Sequence, residues 1–277
     1  MNITDVQGVV ILQNGVEMPY FGLGVYQAPE GPESVKVFEF ALESGYRHID
    51  TATLYQNEKS VGEAIRRSGI PREDIFVTTK VWNSDQGYNS TLRAFQKSLD
   101  NLQFNFIDLY LIHWPVSGKY IDTWKALEEL YRKKVVRAIG VSNFNQQQLE
   151  DLLCYAEIVP MVNQVEYHPY LMQTQLHQFC QRNEIQFEAW APLMRGHIHD
   201  IPEIQKISKK YGKTPVQIVL RWDLQNGVVT IPKSAKRERI QSNTEIFDFT
   251  LTEEDMVIIN SLERNHRIGP DPYYITF

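Results

Sequence analysis

Eight short apolar runs alternate with amphipathic segments along this chain, and no other feature constrains the fold as much. The runs begin near Tyr20, His48, Ile75, Ile107, Val136, Val162, Gln186 and Val228, at intervals of 28, 27, 32, 29, 26, 24 and 42 residues. Each interval is about the size of one strand plus one returning helix. Parallel strands need such crossovers, whereas a tight hairpin joins only antiparallel neighbours. Eight units of this kind close into a (β/α)8 barrel.

The segments between the runs read as helices: 33–43, 58–67, 88–102, 120–132, 146–156, 174–183, 215–225 and 237–243. In 88–102, Leu92, Phe95, Leu99 and Leu102 recur at helical spacing on one face. Gly45, Gly69 and Gly212 stand where helix C-caps belong. Thr214-Pro215 reads as an N-cap followed by the first helical position. An extra helix over 201–211 fills the long seventh interval, and another follows Thr252, with Met256, Ile259 and Leu262 on one face. Before the first unit, Val9–Leu12, Asn14-Gly15 and Val16–Met18 read as a hairpin with a two-residue turn. No composition break interrupts the 277 residues. The expectation is one α/β domain over 1–277, a TIM barrel with an N-terminal β-hairpin and an extra C-terminal helix. The rival, an open doubly wound sheet, usually carries a glycine-rich turn after its first strand. Here Gly22-Leu23-Gly24 is followed by Val25-Tyr26-Gln27, without the third glycine.

Charge and cysteine usage narrow the function. The net charge is −6, which argues against a general nucleic-acid binder. Two cysteines, Cys154 and Cys180, exclude a disulfide scaffold and suit a reducing compartment. The start has no cationic segment followed by an apolar run, and the longest apolar stretch, 107–116, is too short to span a bilayer. A cytoplasmic protein without membrane partners is expected.

Barrel enzymes keep their chemistry at the C-terminal ends of the strands. Here successive runs end in Asp50, Lys80, His113, Ser142-Asn143, Asn163-Gln164 to Glu166, Trp190 and Lys233-Ser234. A carboxylate, an ammonium and an imidazole at three neighbouring mouths are costly to leave unpaired, so they should meet. A metal site is not expected: no His-x-His or His-Glu-x-x-His occurs, and a lysine would repel the cation. Retaining glycosidases need two facing carboxylates. Glu166 and Glu188 are the only tempting pair, and Glu188 lies two residues before its strand end. Schiff-base chemistry needs an uncharged lysine, which a nearby Asp50 would prevent. Gly212-Lys213-Thr214 lacks the upstream glycine of a P-loop. Lys236, Arg237 and Arg239 crowd a helix start, where the dipole disfavours cations. That run fits an anion site and a solvated charged turn equally well.

Several motifs in order give these residues a common context. They are Gly45-Tyr46-Arg47-His48-Ile49-Asp50-Thr51-Ala52 with Tyr55, Thr79-Lys80-Val81-Trp82, Leu111-Ile112-His113-Trp114-Pro115, Gly140-Val141-Ser142-Asn143-Phe144, Asn163-Gln164-Val165-Glu166 and Ile231-Pro232-Lys233-Ser234. With them the whole chain resembles the aldo-keto reductases. It is most similar to the microbial branch of prostaglandin F synthases and of diketogluconate and glyoxal reductases. The resemblance implies a tetrad of Asp50, Tyr55, Lys80 and His113. It implies NADPH across the mouth, with Ser142, Asn143 and Gln164 at the carboxamide and Trp190 stacked on the nicotinamide. Leu193 would line the cofactor, Lys233, Ser234 and Arg239 would hold the 2′-phosphate, and Asn243 would meet the adenine. Tyr55 would be the acid, with Lys80 favouring its ionisation, and His113 would orient the carbonyl oxygen. Tyr26, Trp82 and Trp114, with His113, would line the pocket for a small carbonyl substrate. Ala191, Ser242 and Met194-Arg195 depart from the family pattern, and Arg195 is placed equally well at the pyrophosphate or in solvent. A nucleotide-sensing subunit on the same fold is the alternative to an enzyme. A closed sheet leaves no edge strand, which favours a monomer.

Overall fold

The computed structural model describes residues 1–275. Strands β1 (Val9–Ile11) and β2 (Glu17–Pro19) form an antiparallel hairpin. Its turn corrects the expected two-residue loop. Val9 pairs with Pro19 and Ile11 with Glu17, and Leu12 N donates to Val16 O, so the loop is Gln13-Asn14-Gly15. Only Gly15 there has a positive φ, of 83°. Three-residue loops of this kind end on one left-handed residue, which glycine adopts without strain.

The barrel strands follow: β3 (Leu23–Gly24), β4 (His48–Asp50), β5 (Phe76–Val81), β6 (Ile107–Ile112), β7 (Val136–Ser142), β8 (Val162–Glu166), β9 (Gln186–Trp190) and β10 (Val229–Thr230). All pair in parallel, each with its neighbour in sequence. Parallel bridges Phe21 to Thr230 and Gly24 to Lys233 join the first and last strands and close the ring. β10 is short because Pro232 follows it and has no N–H to donate.

Helices α1 (Pro32–Glu43), α2 (Glu58–Ser68), α3 (Tyr88–Leu102), α4 (Tyr120–Arg132), α5 (Gln146–Leu153), α6 (Thr174–Arg182), α7 (Pro202–Tyr211), α8 (Pro215–Gln225), α9 (Arg237–Asn243) and α10 (Glu253–Asn260) occupy the expected segments. α5 stops at Leu153, short of Ala156, where the backbone turns toward β8. Gly69 and Gly212 cap α2 and α7 in the left-handed region, and Gly45 follows the end of α1 at φ 99°. Thr214 and Gln217 form a reciprocal capping box ahead of α8.

Side chains on a strand alternate between two faces. Outward residues such as Ile49, Val77, Ile112, Ile139 and Phe187 join the apolar core shared with the helices. Toward the barrel axis the pattern changes. His48, Asp50, Thr78, Lys80, Gln164 and Glu188 are all buried and hydrogen-bond to one another. Barrel interiors are usually filled by branched apolar residues, so this polar layer beneath the mouth marks the site. Among the described residues no helix is long and apolar enough to cross a membrane.

Candidate active site

The site is anchored by the ends of β4 and β5. Asp50 pairs with Thr78 in the ladder, and Lys80 lies two residues further along β5 on the same face. Lys80 Nζ donates to Asp50 Oδ1 at 2.6 Å and to Thr51 O at 2.9 Å. Neither side chain reaches water appreciably, at 0% and 3% exposure. A buried ammonium is tolerated only with such partners.

The loop after β4 carries Tyr55. Residues Thr53–Tyr55 make a single 3₁₀ turn, ended by Gln56 in the left-handed region. Two bonds lock it. Thr53 Oγ1 donates to Lys80 O at 3.0 Å, and Thr51 Oγ1 donates to Asn57 Oδ1 at 2.6 Å. Asn57 Nδ2 in turn donates to Val25 O and Ala28 O of the segment after β3. Tyr55 is thereby held over Lys80, whose Nζ lies 5.2 Å from the ring centroid.

His113 follows β6, where its N–H donates to Val81 O. Its ring packs edge-on to Tyr55 at 5.7 Å and to Trp82 at 5.1 Å. Tyr26 completes the group, 5.0 Å from the Tyr55 ring. Tyr26 is exposed, Trp82 is half-buried and Trp114 is buried. Asp50, Tyr55, Lys80 and His113, with the aromatic residues Tyr26, Trp82 and Trp114, lie at or shortly after the ends of β3 to β6.

Electrostatics assign protonation states. Burial, then the charge of Lys80, holds His113 well below its usual range, so the imidazole is neutral at neutral pH. Burial raises the Asp50 carboxyl, opposed by Lys80 and Gln164. Tyr55 requires a correction. Lys80 was expected to favour its ionisation, yet burial and then the Asp50 charge push the phenol well above its ordinary range. Asp50, in contact with Lys80, offsets part of the ammonium's effect on the phenol. Tyr55 is thus firmly protonated.

Around the mouth, Ser142 Oγ donates to Gln164 O, and Asn143, at φ 63°, donates from Nδ2 to His113 O and Ser142 Oγ. Trp190 Nε1 donates to Asn143 Oδ1 at 2.8 Å. Gln164 Nε2 donates to Asp50 Oδ2 at 2.8 Å and to Glu188 Oε2 at 2.9 Å, while its Oε1 accepts from no described residue. Across the rim, Lys233 and Arg239 are exposed and form no ion pair among the described residues; Ser234 and Asn243 are buried beside them. Leu193 is half-buried in the loop after β9, where Ala191, Met194 and Arg195 all have positive φ. Arg195 is exposed there.

Two features escaped the sequence reading. Glu166 is not one of a pair of facing carboxylates. It accepts from Ile268 N at 2.5 Å, Gly269 N at 3.1 Å and His168 Nε2 at 3.0 Å, which straps the C-terminal segment to the mouth. A Cβ on Gly269 would lie 2.3 Å from Trp190 Cη2, so only glycine lets the strap pass the indole. Glu188 is buried in the barrel interior and joins the tetrad through Gln164.

Residues 21–264 match the model of the Aldo/keto reductase family. The chain belongs to the aldo/keto reductase family. It is 53% identical to the glyoxal reductase of Bacillus subtilis over 274 residues, covering 99% of each chain. It is 53% identical to the 9,11-endoperoxide prostaglandin H2 reductase of Trypanosoma cruzi over 266 residues, covering 95% of this chain and 94% of that one. A crystal structure of a Gox0644 variant in complex with NADPH superposes with a TM-score of 0.94 at 42% identity, covering 98% of this chain and 99% of that one. The family membership makes this chain an oxidoreductase with a (β/α)8 barrel.

Proposed function

We propose that this enzyme reduces a small carbonyl compound to the alcohol with NADPH, using Tyr55 as general acid. The observation that carries this reading is the buried Asp50–Lys80 pair directly beneath Tyr55 and His113.

The residues present fit the cofactor. Lys233 and Arg239, exposed and without an ion pair among the described residues, offer cations to a 2′-phosphate, with Ser234 between them and Asn243 near the adenine. Gln164 Oε1 offers a free acceptor to the carboxamide, beside Ser142 and Asn143. Trp190 would stack on the nicotinamide, and Leu193 would flank it. NADPH, when bound, supplies the hydride.

The protein's own part is proton delivery and charge stabilisation. His113, neutral, donates an N–H to the carbonyl oxygen and holds it near the Tyr55 hydroxyl. Tyr55, protonated throughout the neutral range, hands its proton to that oxygen as negative charge develops there. Lys80, fixed by Asp50 and Thr51, places a positive charge under the ring and stabilises the phenolate left behind. Tyr26, Trp82 and Trp114 form aromatic walls that suit flat or apolar carbonyl compounds. The names of the relatives favour small dicarbonyls such as glyoxal and methylglyoxal as first candidates. We infer a monomer in the cytoplasm, since the closed sheet exposes no edge and Cys154 and Cys180 are free thiols.

The test is NADPH consumption, followed by absorbance, with glyoxal, methylglyoxal, simple aldehydes and quinones. Turnover with at least one is expected. Tight NADPH binding without turnover of any would instead support a nucleotide-sensing subunit.

A further inference from the structure

A buried carboxyl group inside a barrel calls for a reason. Glu188 is fully buried on β9, where a valine would fill the same layer. Its Oε2 accepts from Gln164 Nε2 at 2.9 Å. Its Oε1 has no hydrogen-bond partner among the described residues, and His48 Nε2 stands 3.8 Å from it. His48 is itself engaged with Thr78 Oγ1 at 3.0 Å. The contact with Gln164 is therefore the one hydrogen bond that this side chain makes among the described residues.

That contact settles how Gln164 is oriented. A side-chain amide has two N–H groups at a fixed angle in one plane. A single acceptor, Asp50, would leave the amide free to turn about that bond. Two acceptors on different strands, Asp50 on β4 and Glu188 on β9, fix its plane. Asp50 also fixes its sense, because a flipped amide would set its oxygen against that carboxylate, which is paired with Lys80. Both N–H groups then face the barrel interior, and Oε1 is left over for an incoming donor.

We propose that Glu188 is a positioning residue for the nicotinamide end of the cofactor, acting through Gln164 to present Oε1 as an acceptor for the carboxamide. The proposal rests on the NADPH reading above. It requires an acceptor at position 188 rather than a charge, so glutamine there should serve.

The experiment measures affinity by fluorescence titration for two ligands: NADPH, and 2′-phosphoadenosine diphosphoribose, which is the cofactor without its nicotinamide. Glu188→Met, which cannot accept the bond, should weaken NADPH by about 2- to 13-fold, the range for one lost hydrogen bond. It should leave the nicotinamide-free ligand within twofold. Glu188→Gln should restore NADPH affinity to within twofold of the parent. Unchanged NADPH affinity in Glu188→Met overturns the proposal, and so does equal loss for both ligands, which would make Glu188 a general support of the barrel. Failure of the parent to bind either ligand would overturn the cofactor reading itself. A measurement on the parent stands even if Glu188→Met does not fold. With nitrogen-15 on glutamine side chains, both Gln164 amide protons should exchange slowly with solvent. Rapid exchange of either one overturns the geometry.

Discussion

Lys80 Nζ lies 2.6 Å from Asp50 Oδ1, with both groups out of water and Tyr55 above them. Breaking such a pair by removing one partner leaves a buried charge and typically costs about 3–5 kcal/mol. Lys80→Met should therefore lower the unfolding free energy by about that amount at neutral pH, and turnover should fall with it. Adding Asp50→Asn removes the stranded charge while keeping an acceptor for Gln164. The double variant should recover most of the stability and none of the turnover. Urea denaturation of the four proteins closes the cycle. Additive losses would mean that the two side chains do not depend on each other.

Tyr55→Phe removes the acid and little else. The ring keeps its contacts with Tyr26, His113 and Lys80, since none of them involves the hydroxyl. Turnover should fall by about 100- to 10,000-fold, the usual contribution of a general acid, while NADPH affinity stays within a few-fold. Stopped-flow and titration measurements separate the two. Residual turnover within a few-fold of the parent would move the acid to His113.

The barrel and most of its mouth were legible because they rest on local patterns. Strand-plus-helix intervals set the topology, and polar residues at strand ends exposed Asp50, Lys80 and His113. What the sequence concealed depends on groups far apart in the chain. Glu188 is read from the sequence only as half of a carboxylate pair with Glu166, set aside because it lies two places before its strand end, and its approach to Gln164, 24 residues away, gives it another role. Gly269 carries no local signal either; its requirement comes from the Trp190 indole. The hairpin loop was misjudged for a local reason. Asn14-Gly15 suits a two-residue turn, but the pairing of Leu12 with Val16 brings Gln13 into the loop. The raised pKa of Tyr55 is not legible in the sequence because burial, then the Asp50 charge, outweighs Lys80 there.

Glu188 also gives stability a distinctive pH dependence. Burial and then the Asp50 charge raise its pKa from 4.5 to about 8. Between those values the folded protein holds a proton that the unfolded chain has lost. Stability then falls as pH rises through this window, by at most about 1.4 kcal/mol per pH unit, and levels off above it. Glu188→Gln has no proton to lose. Its stability relative to the parent should climb from pH 5 to 8 and then stay constant. Urea midpoints across that range give the comparison, and parallel curves for the two proteins would show that Glu188 does not titrate there.

Arg239 tests the far end of the cofactor. It is exposed, on α9, and forms no ion pair among the described residues, with Lys233 and Ser234 preceding it at the end of the last barrel strand. NADH lacks the 2′-phosphate, so these groups would face water when it binds. A hydrogen bond to a charged partner contributes about 1.5–3 kcal/mol, or roughly 10- to 150-fold in affinity. The parent should bind NADPH more tightly than NADH. Arg239→Ala should weaken NADPH by about that factor and leave NADH nearly unchanged. The preference should shrink as salt rises, because the rim is open to counterions. Fluorescence titrations of both nucleotides at two ionic strengths decide it, with Trp190 as the reporter. An equal loss for the two nucleotides would assign Arg239 to supporting the loop rather than to reading the phosphate.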